Sequence, residues 1–253
     1  MSRITLEICV DDEAGIAAAA AGGADRIELC AALALGGLTP SAGLMLLAAE
    51  SPLPALAMIR PRAGDFVWTR AERAAMRAEI AATRAAGLAG VVIGASLPDG
   101  RLDGETLEDL LKAAEGLDVT LHRAVDLTPD PVEAMALCAG LGIARVLSSG
   151  GAQTALQGID RLAAMARAAP GFVVMPGGGI SAENVTILAE NLSLTEVHAS
   201  CSVPLSLAVH PLVERFGFRP PGARGTDAGR VRALRRVLDQ IAAAPPTARG
   251  GHA

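Results

Sequence analysis

The strongest constraint on this chain is a pattern that recurs eight times between Ile4 and Cys201: a short apolar run, a turn, then a helix-patterned stretch. The runs are Ile4 to Val10, Asp25 to Cys30, Ala55 to Pro61, Gly90 to Gly94, Val119 to Asp126, Arg145 to Ser148, Phe172 to Met175 and Glu196 to Cys201. Apolar and polar positions alternate in them with the two-residue period of a strand, as Ile4, Leu6, Ile8 and Val10 do against Thr5, Glu7 and Cys9. Strands separated by helical crossovers run parallel. Eight such units of roughly 20–35 residues predict an α/β fold of one domain, a (β/α)8 barrel over residues 1–245, with 246–253 expected as a disordered tail. An open doubly wound sheet is the rival reading. Gly177-x-Gly179-x-x-Ala182 fits a dinucleotide fingerprint, but it follows the seventh run and has no acidic strand end about 20 residues on.

Turn chemistry marks the helix starts. Asp11 is expected to cap the first helix, Thr39 or Ser41 the second, Ser181 the seventh and Thr226 or Asp227 the last.

Composition narrows the function. A net charge of −5, with no Walker pattern and no aromatic platform, argues against nucleic acid. The first residues lack a signal-peptide layout, and no run reaches the ~18 apolar residues of a membrane span. The chain is therefore expected to be soluble and cytoplasmic. Cys9, Cys30, Cys138 and Cys201 are far apart with no C-x-x-C pair, so free thiols are expected. The one lysine, Lys112, lies mid-helix, which leaves a Schiff-base mechanism without its nucleophile. The H-x-H pairs of metal-dependent barrel hydrolases are missing as well.

In a closed parallel barrel, the C-terminal strand ends open onto one face, where such folds keep their chemistry. Glu7, Glu28, Arg60, Arg62, Asp65, His122, Arg123, Asp126 and His198 are predicted to converge there. The catalytic candidates are Glu7, Glu28, His122, His198 and Asp65. His122 and His198 titrate near neutrality, and two close glutamates would share a proton. Each glutamate could equally be locked by Arg60 or Arg62. Arg26, Arg60, Arg62, Arg123, Asp126, Ser149, Gly177, Gly178 and Gly179 are the substrate- or anion-binding candidates, the glycine loops offering backbone N–H groups to a phosphate. Cys9 and Cys30, at neighbouring strand ends, are the candidate soft-metal ligands; Cys201 falls at a third.

Eight segments carry a family resemblance: L-E-I-C, A-D-R-I-E-L-C, G-G-L-T-P-S, I-R-P-R-A-G-D-F, T-L-H-R-A-V-D, A-R-V-L-S-S-G-G, P-G-G-G-I and E-V-H-A-S, in order from residue 4 to about 200. With them the chain resembles the CutC copper-homeostasis family. The resemblance implies a TIM barrel, a cytosolic homodimer and a role in copper homeostasis, with Cu(I) as a ligand of Cys9 and Cys30. Cys201 is not part of that pattern. The residues alone also allow another reading: a metal-independent enzyme, of isomerase or lyase type, acting on a small anionic or phosphorylated substrate. In it His122 or His198 is the acid/base, and Arg60, Arg62 and the glycine loops clamp the anion.

Overall fold

A computed structural model describes residues 3–206, 210 and 212–244; the expected tail lies outside them. Eight parallel strands form the barrel: β1 Thr5–Val10, β2 Arg26–Leu29, β3 Ala55–Met58, β4 Gly90–Ile93, β5 Asp118–Leu121, β6 Arg145–Ser148, β7 Val173–Pro176 and β8 Glu196–Ala199. Their order is β7-β6-β5-β4-β3-β2-β1-β8, and β7 approaches β8 to bring the ring close to closure. Alternating with them are α1 Glu13–Gly22, α2 Ala42–Ala49, α3 Arg70–Ala85, α4 Gly104–Ala113, α5 Pro131–Gly140, α6 Ile159–Ala168 and α7 Val185–Asn191.

The connection after β8 carries more structure than its polar, Pro-rich sequence signals. β9 Ser202–Pro204 pairs antiparallel with β10 Arg224–Thr226, α8 Leu212–Arg215 lies between them, and α9 Ala228–Ala243 closes the described chain.

Short polar side chains begin several helices by accepting otherwise unpaired N–H groups. Asp12, rather than Asp11, caps α1. Ser41 caps α2 and Asp227 caps α9. Thr69 and Glu72 form a reciprocal capping box on α3. α7 departs from expectation: it begins after Asn184 with no side-chain cap, while Ser181 N–H donates to Asn184 Oδ1.

The main apolar core lies between the strands and the helix ring and includes Leu6, Ile8, Ile27, Leu29, Ile93 and Leu121. Cys30, Leu56, Met58 and Val92 form a second, smaller buried apolar cluster. Much of the remaining interior is ionic. At the strand starts Arg145 pairs with Asp118 and Glu196, and Arg26 pairs with Glu196 and Glu7. Buried ions on this scale cost several kcal/mol each to desolvate and survive only when paired.

Candidate functional site at the barrel mouth

Strand register determines which inward side chains meet. Glu7 of β1 lies opposite Arg26 of β2 on one side and His198 of β8 on the other, and Cys9 lies opposite Glu28. The carboxylate of Glu7 is fully buried; its Oε2 accepts from Arg26 Nε at 2.5 Å, and its Oε1 lies 2.8 Å from His198 Nδ1. The partner of Glu7 is thus Arg26, not Arg60 or Arg62, because Arg26 is next to it in register. Burial pushes Glu7 up, but His198 and Arg26 outweigh it and hold the carboxyl at about 2. Burial likewise opposes charge on His198, yet Glu28, Cys9 and Glu7 hold its pKa well above the usual imidazole range.

Glu28 faces the other edge of the ring, its Oε2 3.9 Å from His198 Nε2. Cys30 Sγ donates to the same oxygen at 3.5 Å, while Glu28 Oε1 is buried with no hydrogen-bond partner. Burial is the main cause that raises the Glu28 pKa; the His198 charge opposes it and the Glu7 charge adds to it. Burial and the Glu28 charge push the Cys30 thiol well up. Cys9 Sγ, a Glu28 oxygen and a His198 ring nitrogen lie within 4.8 Å of one another. Three ligands around one ion lie at most about 3.8 Å apart in pairs, taking Zn–S and Zn–N bonds as a guide, so the widest separation would close by up to about 1 Å on binding. Glu7 holds Nδ1 and leaves Nε2 toward Glu28, the arrangement in which a carboxylate orients a metal-binding histidine.

His122 and Arg60 form a second buried group. His122 Nδ1 accepts from Ala124 N–H at 3.1 Å, which puts the proton of the neutral ring on Nε2. The ring lies against Gly94 and beside Phe66, at a centroid distance of 4.6 Å. Burial, then the Arg60 charge, lowers its pKa to about 3. Arg60 is held by the carbonyls of Leu35, Gly37 and Gly64 and lies 5.1 Å from the Phe66 ring centre. His122 Nε2 and Arg60 Nε are both buried without partners.

Other candidates lie elsewhere. Asp65 is an exposed loop residue bonded to Arg62, and Arg62 also pairs with Glu72 and stacks on Trp68. Neither reaches the glutamates. The expected anion cradle after β6 is filled by the protein's own carboxylate. Asp126 accepts from Ser148 Oγ at 2.6 Å, Gly151 N at 2.9 Å, Ser149 N at 3.0 Å and Arg123 Nε at 2.7 Å. Ser149 and Asp126 are therefore spent on each other. Gly177 packs against Leu147 and His198, and Gly178 and Gly179 take positive φ values of 101° and 75° that turn the β7–α7 loop outward.

Sequence reasoning missed the Asp118–Arg145–Glu196 chain, although charges opening three apolar strands at inward positions were its visible signal. It also missed Arg224 and Arg230, which reach the mouth from outside the eight repeats.

Comparison with known proteins agrees with this architecture. The model of the CutC family matches residues 4–203. A CutC family protein of Rhizobium meliloti (strain 1021) is 54% identical over 244 residues, covering 96% of this chain and 99% of the relative. One from Agrobacterium fabrum (strain C58 / ATCC 33970) is 52% identical over 234 residues, covering 92% and 93%. The crystal structure of CutC from Streptococcus agalactiae, a protein assigned by inference to copper homeostasis, superposes with a TM-score of 0.74 at 29% identity, over 78% of this chain and 98% of that one. In sequence and in fold, this chain belongs to the CutC family.

Proposed function

We propose that this chain is a copper-homeostasis protein that binds Cu(I) inside the barrel mouth, at Cys9 and His198, with Cys30 and Glu28 beside them. The supporting observation is the convergence of Cys9, Glu28 and His198 ligand atoms within 4.8 Å, with His198 oriented by Glu7. Thiolate and imidazole suit cuprous ion; the harder Glu28 carboxylate supplies charge and a hydrogen-bond acceptor for Cys30. The orphaned Glu28 Oε1 fits a site designed for a cation. Zn(II) is the competing ion for such a mixed donor set. The bound ion would displace the thiol proton, so binding releases acid.

We place the protein in the cytoplasm, where four buried free thiols stay reduced, and expect a homodimer. Sedimentation checks the assembly state. The acid–base enzyme reading has less support, because His122 Nε2 is sealed between Phe66 and Gly94 and Asp65 is on the surface.

Titration of reduced protein with Cu(I) held by a competing chelator tests the proposal. One tight equivalent is expected, weakened about 100-fold in Cys9→Ser and in His198→Gln. Binding that is indifferent to both substitutions, or tighter for Zn(II) than for Cu(I), contradicts it.

A further inference from the structure

A cavity of about 250 Å³ opens between the β7–α7 loop and the β8–β9 turn, lined by Ser181, Glu183, Ser200, Ser202, Arg224 and Arg230 among others. It shares no residue with the Cys9–Glu28–His198 cluster. Neither arginine belongs to the eight repeats: Arg224 comes from the β9–β10 pair and Arg230 from the first turn of α9. Both lie beyond the residues matched by the family model. Arg224 is held in place by Ser202, its Nε donating to Oγ at 3.0 Å and its Nη2 to the carbonyl at 2.6 Å. Among the described residues no hydrogen bond ties down the Arg230 side chain, and the Arg230 charge faces the exposed Glu183 carboxylate across the cleft. Two guanidinium groups against one carboxylate leave the cleft a net positive charge, surrounded by three serine hydroxyls.

We infer that this cleft binds the phosphoryl group of a small phosphate monoester. Guanidinium groups match phosphate oxygens with paired donors, and hydroxyls complete the shell. The position, between the loops after the last two barrel strands, is where parallel barrels offer backbone N–H groups to such anions. The positive φ of Gly178 and Gly179 sets the loop that forms one wall. The earlier candidate cradle, after β6, is closed by Asp126, so the anion is received one loop further on.

Calorimetric titration of the full chain with inorganic phosphate, and separately with glycerol phosphate, tests the inference. Saturable binding is expected, tighter for the ester because the cavity exceeds the phosphate alone. Arg224→Gln combined with Arg230→Gln should weaken it by about tenfold or more, and Glu183→Gln should tighten it by relieving repulsion. Cys9→Ser should leave it unchanged, which separates this site from metal binding. Arg224, Arg230 and Glu183 are all exposed, so unaltered thermal melting can confirm that the variants at these positions fold. A wild-type chain with no saturable site, or a double variant that binds as the wild type does, overturns the inference.

Discussion

His198 Nδ1 lies 2.8 Å from Glu7 Oε1, inside a barrel where that carboxylate is wholly buried and held from its other side by Arg26. This contact fixes the orientation of the ring and turns Nε2 toward Glu28 and Cys9, and it joins the Glu28 charge and Cys9 in sustaining the charge of the imidazole. The proposed metal chemistry depends on it.

Glu7→Gln keeps the shape of the side chain but removes its charge. Cu(I) affinity should fall about 10–100-fold, the usual effect of removing an orienting carboxylate behind a ligand histidine. The His198 pKa, followed by NMR, should fall with it. Unchanged affinity would mean that Glu7 is only structural.

Arg26→Met leaves Glu7 and Glu196 facing one another's region without their shared guanidinium. Removing one partner from a buried ion network typically costs about 3–5 kcal/mol. Urea unfolding should show that loss, whereas Arg62→Met, which breaks the solvent-facing pairs with Asp65 and Glu72, should move the midpoint far less. Equal losses would contradict the contrast between interior and rim.

The pH dependence follows from shifts of opposite sign. His122, held neutral to about pH 3, takes up its proton near 6.5 once unfolded. The unfolded state binds more protons throughout that window, so stability falls as pH drops from about 6.5 to 3. Glu7 adds to the acid loss, its contribution disappearing between 4.5 and about 2. His198 acts the other way: its raised pKa gives stability that is full below about 6.5 and is lost as pH rises through the folded value. His122→Asn, which retains an acceptor for Ala124 N–H, should flatten the acid decline measured as urea midpoint against pH. An unchanged slope would assign the decline elsewhere.

Gly94 leaves the space that His122 fills: a Cβ there would lie 2.2 Å from His122 Cε1. Gly94→Ala should cost about 1–3 kcal/mol through forced displacement of the ring. A thermal melt matching the wild type would show that the ring has room to move.

Much of the architecture was legible because strand alternation is a local property. Parity alone put Glu7, Cys9, Glu28, His122 and His198 inside the barrel, and they are there, buried. Partner identity was not legible, because it depends on register between strands: β1 and β2 align Glu7 with Arg26, and nothing local to either strand says so. Asp126 carries the same lesson, since a carboxylate that fills a glycine-rich cradle looks in sequence like one that lines it. The β9–β10 pairing stayed hidden because two three-residue strands, far apart in sequence, carry too little periodicity to read.

X-ray absorption at the copper edge on Cu(I)-loaded protein tests the central claim most directly. The predicted spectrum has mixed sulfur and imidazole nitrogen scattering, with the imidazole signal lost in His198→Gln and the sulfur signal reduced in Cys9→Ser. Spectra identical across the wild type and both variants, or a wild-type chain that retains no copper, would contradict a metal site at the barrel mouth.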